Sequence, residues 1–505
     1  MKMEDLLDVA KRRGFFWQSA AIHGSMSGFY DYAHLGAALK RRWENEWRSF
    51  FLSLGDNFWE IEPCSVLPEE VFKASGHLES FVDPMVKCGK CGYSERADHL
   101  LETKLKDDTF EGLSPEGLMK LIDKHKIVCP KCKGRFKDVG ELNMMFPLNV
   151  GTGQDARTAY LTPETAQGVY VNFKQEFETL RRKMPLGLAV IGKAFRNEIS
   201  PRNALIRMRE FSQAELQIFF DPHEIEKHHD FRSVAKYKLR VFSLKNRKSK
   251  LKRVSEISCK SALKELNLPE FYVYHMAMMQ KFYFEVMGVP REKFRFKQLS
   301  DEEKAFYNKY HWDVEVMLES LGGFKEMAGC HYRTDHDLKG HEKVSKEKMM
   351  VNVEGRVFVP HVIELSFGVD RNLYAMLELA YKKDMERLYF SFPRRMCPFD
   401  IGVFPLVNKD KLPIKAKSVQ ETLKYAGFKT FYDASGSIGR RYRRIDEVGI
   451  PAGITVDYKS LKKDDVTLRD RDSMKQVRIK IKALPGKLSE FMEGKRLTAL
   501  GKAVK

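Results

Sequence analysis

The 505-residue chain has no apolar run approaching the length of a membrane-crossing helix, which excludes a helical bilayer span. Its opening residues, MKMEDLLDVAKRRG, lack the apolar stretch of a secretory signal. A cytoplasmic location is therefore expected, with no membrane partner and with cysteines kept reduced. No internal repeat and no long low-complexity linker is visible. Cysteine is sparse, eight in all. Cys64, Cys259, Cys330 and Cys397 are scattered and read as small buried residues. The other four form two Cys-x-x-Cys pairs, Cys88 with Cys91 and Cys129 with Cys132. Four thiolates are the complement of a tetrahedral structural zinc site, which leaves no open position for catalysis. The flanks CGKCG and CPKCKG suit tight metal-binding turns. The 37 residues between the pairs call for a helical insertion, and a helix is expected over 116–126.

Acidic residues are outnumbered, 69 Asp/Glu against 88 Lys/Arg, for a net charge of +19. Residues 394–505 hold 26 Lys/Arg against 13 Asp/Glu, and residues 232–253 hold ten basic residues and no acid. The rest of the chain is close to neutral. Two basic regions on a neutral body fit a polyanion touching two places, nucleic acid first among them. Taken alone, each charge run also reads as ordinary solvated surface.

Leu35, Leu39, Trp43, Trp47, Phe50 and Leu54 recur at helical spacing. Gly55 ends that helix, and NFWEIEP follows as a strand closed by Pro63. The stripe reads equally as core packing or as a subunit interface. Two strands, LGLAVIGKAFRNE and REFSQAELQIFF, flank a polar loop. Helical patterns and the basic run fill 222–320. A strand pattern, VEGRVFVPHVIELSF, then leads through Gly368 into the helix VDRNLYAMLELAY. Beyond SFPRRMCP, short strands and helices alternate as in a small α/β domain of about 100 residues.

Charges at the end of an apolar strand are costly unless partnered. In AFRNE, Arg196 and Glu198 are two apart and project to one face, Phe195 and Asn197 to the other. A structural ion pair is one reading. The other is a site in which arginine holds a phosphate and glutamate a cation or amide. Arg207, Arg209, Glu210 and Phe211 return along the second strand, where Phe211 could stack on a flat base. In ELSFGVDRN, Glu364 and Ser366 share a strand face, Gly368 permits close backbone approach, and Arg371 in the first helical turn could reach a terminal phosphate. His228-His229 has no metal-ligand spacing with another candidate and reads as surface.

The F-R-x-E strand–loop–strand, the G-x-D-R helix entry and the long helix leading to a strand ending in Pro63 resemble motifs 2, 3 and 1 of class II aminoacyl-tRNA synthetases. GFYDY (28–32), RADH (96–99), PETAQG (163–168), MREF (208–211) and VTLRDRD (466–472) resemble the glycyl-tRNA synthetases of the archaeal/eukaryotic dimeric type, over nearly the whole chain. The resemblance implies an α+β fold, with a six- or seven-stranded antiparallel sheet flanked by helices as the catalytic domain over 1–393. It further implies a zinc insertion near 85–140, a basic helical insertion near 222–320, an anticodon-binding domain over 394–505, and a homodimer formed through the motif 1 region.

Roles carried over by the resemblance are as follows. Arg196, Glu198 and Arg371 are the catalytic set, with Arg196 on the ATP α-phosphate and Arg371 on the γ-phosphate. ATP is also contacted by Asn197, by Ile206, Arg207, Met208, Arg209 and Glu210, by Phe211 stacked on adenine, and by Met327 and Gly368. Glu326 helps hold Mg²⁺. Arg96, Glu164, Phe211, Gln213, Glu215, Glu364 and Ser366 match the glycine pocket, Arg333 less closely. Departures are Asp370 where G-x-G-R is common, Leu365 in place of a proline, and the looser HGSMSG and FPLNVGTG; none removes a charged site residue.

Glycine has no side chain to grip, so its ammonium must be read, and carboxylates around a small cavity suit that task. No smaller amino acid exists, so an editing site is unnecessary. Such a reaction runs on positioning and charge neutralisation, without a protein nucleophile. A non-catalytic relative that binds only nucleic acid would be expected to lose the ATP arginines, which persist here. A stand-alone adenylate-forming enzyme has no use for the basic C-terminal region.

Overall fold

The computed structural model describes residues 3–105, 110, 113–201, 203–305, 307–384 and 387–504. Helix α1 (His34–Phe51) carries the apolar stripe: Leu35, Leu39, Trp43 and Trp47 are buried within the chain itself, followed by Phe51 rather than the expected Phe50, which is half-buried, while Leu54 is half-buried in the turn beyond the helix. Trp47 and Phe51 pack at 6.0 and 4.9 Å from Phe367, and Phe51 sits 5.1 Å from Phe282. The two readings of the stripe resolve in favour of core packing. A short turn, Leu52–Leu54, ends at Gly55, and strand β1 (Phe58–Glu60) follows.

The central sheet is built from β1, β2 (Leu186–Phe195), β3 (Glu210–Phe220), β4 (Lys238–Phe242), β5 (Ser255–Ser258), β6 (Phe294–Gln298), β7 (Tyr310–Leu318), β8 (Gly323–Thr334) and β9 (His361–Gly368). Its nine strands run in the order β5-β4-β6-β7-β8-β9-β3-β2-β1. All neighbours are antiparallel except β2 with β1 and β4 with β6. The sheet is thus larger than the expected six or seven strands, and the reason lies in 222–320. That segment is not simply a helical insertion: besides helix α2 (Glu270–Lys281), it supplies β4, β5, β6 and β7. KLRVF, SEIS and FRFKQ are short, and charge on their exposed face hides their period of two. VEGRVFVPHVIELSF divides into a hairpin, Val351–Val353 with Arg356–Phe358, and the separate strand β9. Helix α3 (Val369–Ala380) follows Gly368 directly.

Within 82–143, strands Val82–Cys88, Ser94–Arg96 and Phe136–Asn143 form a small sheet. Helix Pro115–Lys124, capped by Ser114, packs on it through Leu118 and Ile122. A second sheet holds β10 (Ile401–Pro405), β11 (Thr430–Tyr432), β12 (Ala452–Val456), β13 (Asp465–Asp470), β14 (Gln476–Lys480) and β15 (Lys502–Ala503), in the order β11-β10-β12-β13-β14-β15. Helices α4 (Leu412–Tyr425) and α5 (Ile438–Glu447) pack against it.

Buried charge joins this second sheet to the body. Asp446, fully buried, accepts from Arg387 at 2.8 Å and from both Nη atoms of Arg469 at 3.0 Å. Arg471 donates to the carbonyls of Gly449 at 2.9 Å and Phe392 at 3.0 Å. Arg42 on α1 pairs with Asp400. The arginines of VTLRDRD therefore serve this junction.

Candidate active site

A cavity of about 390 Å³ opens on one face of the central sheet. Its walls are β3, β7, β8 and β9, the loop after β2, and the first turn of α3. β2 ends at Phe195, so Arg196, Asn197 and Glu198 lie just past the strand rather than on it. Arg196 and Glu198 nevertheless both reach the cavity. The Arg196 guanidinium lies 5.2 Å from the ring centres of both Phe81 and Phe211. Its Nε donates to the Pro163 carbonyl at 3.0 Å. Among the described residues no carboxylate lies within ion-pair distance of it.

Glu198 does have a partner, because Arg207 donates to it at 2.6 Å. Arg371 Nε donates to the Ile206 carbonyl at 3.1 Å, and Arg371 pairs with Glu326 at 2.9 Å. That carboxylate raises the affinity of Arg371 for its proton. The Arg371 guanidinium beside the half-exposed Glu326 holds its carboxyl below the usual range. Gly368 lines the cavity, and a Cβ there would stand 3.2 Å from Arg371 Cδ, tightening the space its side chain uses. Asp370, next to Arg371, accepts from the Ser212 N–H and from the Tyr32 hydroxyl. A residue of the GFYDY segment thereby anchors the helix start.

Other expected contacts lie off the cavity. Asn197 is not among the lining residues, and its backbone N–H donates to the Met144 carbonyl at 2.8 Å. Arg209 donates to the carbonyls of Glu198 and Ser27, and Glu210 pairs with Lys193 at 3.0 Å. Met327 faces the core, because it alternates with Glu326 along β8. Arg96 also stands back, its guanidinium held between Asp83 at 2.8 Å and Asp98. Ile206, Met208 and Phe211 do line the cavity.

The carboxylates expected in the pocket are brought together, and the structure sorts them. Arg333, fully buried on β8, donates to Asp337 at 2.8 and 2.9 Å, to Glu364 at 3.0 Å and to Glu164 at 3.4 Å. Glu364 also accepts from Gln217 at 2.7 Å and faces His331. Although burial opposes ionisation at both, the Arg333 charge holds Glu164 and Glu364 below the usual carboxylate range. Glu215 has no such partner. It accepts from the hydroxyls of Thr165 at 2.7 Å and Ser366 at 2.8 Å. Burial, with Glu364 and Glu164 close by, pushes its pKa up to about 8. Gln213 accepts from the Thr165 N–H at 3.3 Å beside it.

Reading the sequence missed His311, Asp313, Glu315 and His331, all of which line the cavity. The signal was present in HWDVEVML, where polar and apolar residues alternate at the period of a strand with one face on a site. Glu315 pairs with Arg295 at 2.6 Å and sits opposite Glu326 across β7 and β8. His228, read as surface, is half-buried and stacks 3.7 Å from Tyr274. Burial lowers its pKa to about 2, so the ring is neutral.

The four cysteines converge. Cys88 and Cys132 sulfurs are 3.5 Å apart, Cys91 and Cys129 sulfurs 3.7 Å, and all four lie within 4.8 Å of one another. Sulfurs on a tetrahedral zinc ion are about 3.8 Å apart for bonds of about 2.3 Å, so the set could hold such an ion. A Cβ at Gly134 would stand 3.2 Å from the sulfurs of both Cys88 and Cys132. Glycine keeps the cradle open, and its N–H donates to Cys132 Sγ at 3.4 Å.

Arginines and acids gathered over a largely antiparallel sheet, with a separate α/β unit after it, define a class II aminoacyl-tRNA synthetase. Residues 150–380 match the family described as tRNA synthetase class II core domain (G, H, P, S and T), and residues 400–491 match the anticodon binding domain family. The glycine--tRNA ligase of Pyrococcus horikoshii is 39% identical over 98% of this chain and 99% of its own length. That of Thermococcus sibiricus is 38% identical over 98% and 99%, and that of Methanococcus maripaludis 37% over 95% and 98%. The chain belongs to the glycine--tRNA ligase family.

Proposed function

We propose that the protein activates glycine with ATP to glycyl-adenylate and pyrophosphate, then transfers glycine to the 3′ end of tRNA(Gly). The observation that carries this reading is the division of charge within one cavity. Arg196, without a carboxylate partner, lies toward one side with Arg371, and Glu215, without a cationic partner, lies among the pocket acids. Phosphates suit the first and the glycine ammonium suits the second. Phe211 offers a face to adenine on the ring that Arg196 already covers from one side. Glu164 and Glu364 are spent on Arg333, so their role is to hold the wall rather than to bind the ammonium directly. Arg96 likewise supports the site from behind, through Asp83, which it shares with Arg207 at 3.6 Å.

In the first step a glycine carboxylate oxygen attacks the α-phosphorus, the anhydride forms, and pyrophosphate leaves. In the second, a hydroxyl of the terminal tRNA ribose attacks the glycyl carbonyl and AMP leaves. Arg196 neutralises charge on the phosphate under attack, Arg371 grips the far end of the triphosphate, and Glu215 fixes the amine so that the carboxylate faces phosphorus. Mg²⁺, when bound with ATP at Glu326, supplies further neutralisation; Glu315, opposite it, is placed to share that work. Zn²⁺ at the four cysteines would be structural.

We infer the same division of the chain as the sequence reading, with a catalytic part over 1–393 and an anticodon-binding part over 394–505. Eight of the ten basic side chains in 232–253 are exposed, which supports contact with the tRNA acceptor arm. Among the described residues β1 pairs only with β2, and Trp59 on it is 49% exposed. That free edge, rather than the buried stripe of α1, is the part of motif 1 offered to a second copy in a homodimer. No described helix is long and apolar enough to cross a membrane, in keeping with work in the cytoplasm. The test is ATP–pyrophosphate exchange across all twenty amino acids. Exchange should depend on glycine alone and vanish in a folded Arg196→Ala variant; normal exchange in that variant would refute the site.

A further inference from the structure

We propose that His311, Asp313 and His331 form a binding site for a divalent transition-metal ion of the zinc class, inside the cavity and separate from the four-cysteine cluster. It stands on these side chains alone and does not depend on which amino acid the protein activates. His311 and Asp313 are two apart on β7 and share a face. His331 on β8 lies directly opposite His311 in the strand register, and Gly329 lies opposite Asp313. The two Nε2 atoms are 2.9 Å apart, and His311 Nε2 is 3.0 Å from Asp313 Oδ1. Two ligands about 2.1 Å from a tetrahedral ion lie about 3.4 Å apart, so these atoms need part by only about half an ångström to share one ion. Two imidazoles with one carboxylate oxygen suit zinc and its neighbours, whereas Mg²⁺ takes oxygen ligands.

The surroundings prepare both rings for this. His331 Nδ1 faces a carboxylate oxygen of Glu364, so Nδ1 carries the proton and Nε2 presents a lone pair. Such outer hydrogen bonds orient metal-binding histidines. His311 Nδ1 stands 3.3 Å from the Asn308 amide nitrogen, while Asn308 Oδ1 is buried without a partner. Amide oxygen and nitrogen have the same shape. Exchanging them lets Oδ1 accept from His311 Nδ1–H, satisfies the orphan, and turns the second Nε2 lone pair to the same point. No lysine or arginine among the described residues pairs with Asp313. Two lone pairs and an uncompensated carboxylate then converge on one place, where a cation relieves their repulsion.

Space is kept for it as well. A Cβ at Gly329 would stand 2.3 Å from His331 Nε2, so only glycine leaves the His331 ring in this position. All three ligands line the cavity. An ion with three protein ligands keeps open positions, and here they face the cavity, where an amine or carboxylate of a small molecule would complete the shell.

The experiment is metal stoichiometry on the full chain. Protein stripped with a chelator, reloaded with Zn²⁺ and desalted should carry two Zn²⁺ per chain, falling to one in His311→Gln, in His331→Ala and in a Cys88→Ser/Cys91→Ser variant. Co²⁺ added after one equivalent of Zn²⁺ should show weak ligand-field absorption without thiolate charge transfer. A wild-type chain that stops at one Zn²⁺ and gives no such Co²⁺ spectrum overturns the proposal and leaves a proton shared between the two rings. A second equivalent that persists undiminished in both histidine variants overturns it too. If a variant does not fold, the wild-type stoichiometry and spectrum decide.

Discussion

With Glu215 as the proposed partner of the glycine ammonium, glycine binding should be a proton-linked event. Its pKa of about 8 reflects burial beside Glu364 and Glu164, while the proposed ammonium partner requires the carboxylate. At pH 7 the free site is therefore mostly protonated, and binding glycine expels that proton. Binding weakens about fivefold from pH 8 to pH 7 and then approaches the limit of about tenfold, or about 1.4 kcal/mol, per pH unit. Between pH 8 and pH 6 the glycine Kd should rise about fiftyfold, approaching a plateau above pH 8 until the substrate's own amine deprotonates. Near pH 7 close to one proton should leave per glycine bound. Calorimetry in two buffers of different ionisation enthalpy reads the proton count, and the same titrations give Kd. Glu215→Gln should lose both the slope and most of the affinity. A Kd flat from pH 6 to 8 with no proton released would refute the assignment of Glu215 as the ammonium partner.

Removal of metal from the cysteine cluster should loosen 82–143 without unfolding the central sheet; hydrogen exchange before and after chelation reads this, and loss of protection spread over β2, β3 and β9 would count against it. Trp47→Ala removes a fully buried ring that packs on Phe51 and Phe367 and should cost about 3–5 kcal/mol, seen in denaturant unfolding. Asp446→Ala strands Arg387 and Arg469, 7% exposed each, and should cost about 3–5 kcal/mol as a lowered Tm; an unchanged Tm would show that solvent reaches this junction.

How much of this was legible in sequence depends on how local the cause is. The α1 stripe, the long apolar β2, the glycine entry to α3 and the order of strands and helices beyond 400 are set by periodicity and turn residues, and they stand where expected. The strands of 222–320 are not, because their partners lie well apart in sequence and their polar faces carry charge, Lys238 and Arg240 on β4, Glu256 on β5, Arg295 and Lys297 on β6, and Asp313 and Glu315 on β7. The same holds within the site. Arg196, Arg371 and Glu215 could be named from short motifs. Which acid is left without a cation beside it could not, because that depends on Arg333 arriving from another strand to occupy Glu164 and Glu364. His311 and His331 meet only through the β7–β8 register, 20 residues apart.

The buried arginines at the junction have a consequence for discrimination among RNAs. Arg387 and Arg469 converge on Asp446, Arg471 ties β13 to the chain leaving the body, and Arg42 reaches Asp400 from α1. If one tRNA is held at the cavity and at the second sheet together, the span between those grips is fixed by this joint, as the jaws of a caliper are fixed by its screw. An RNA of the wrong length or bend would then fail by geometry, however well either end fits. Loosening the joint would show first as lost selectivity between RNAs, with the exchange reaction on glycine left intact.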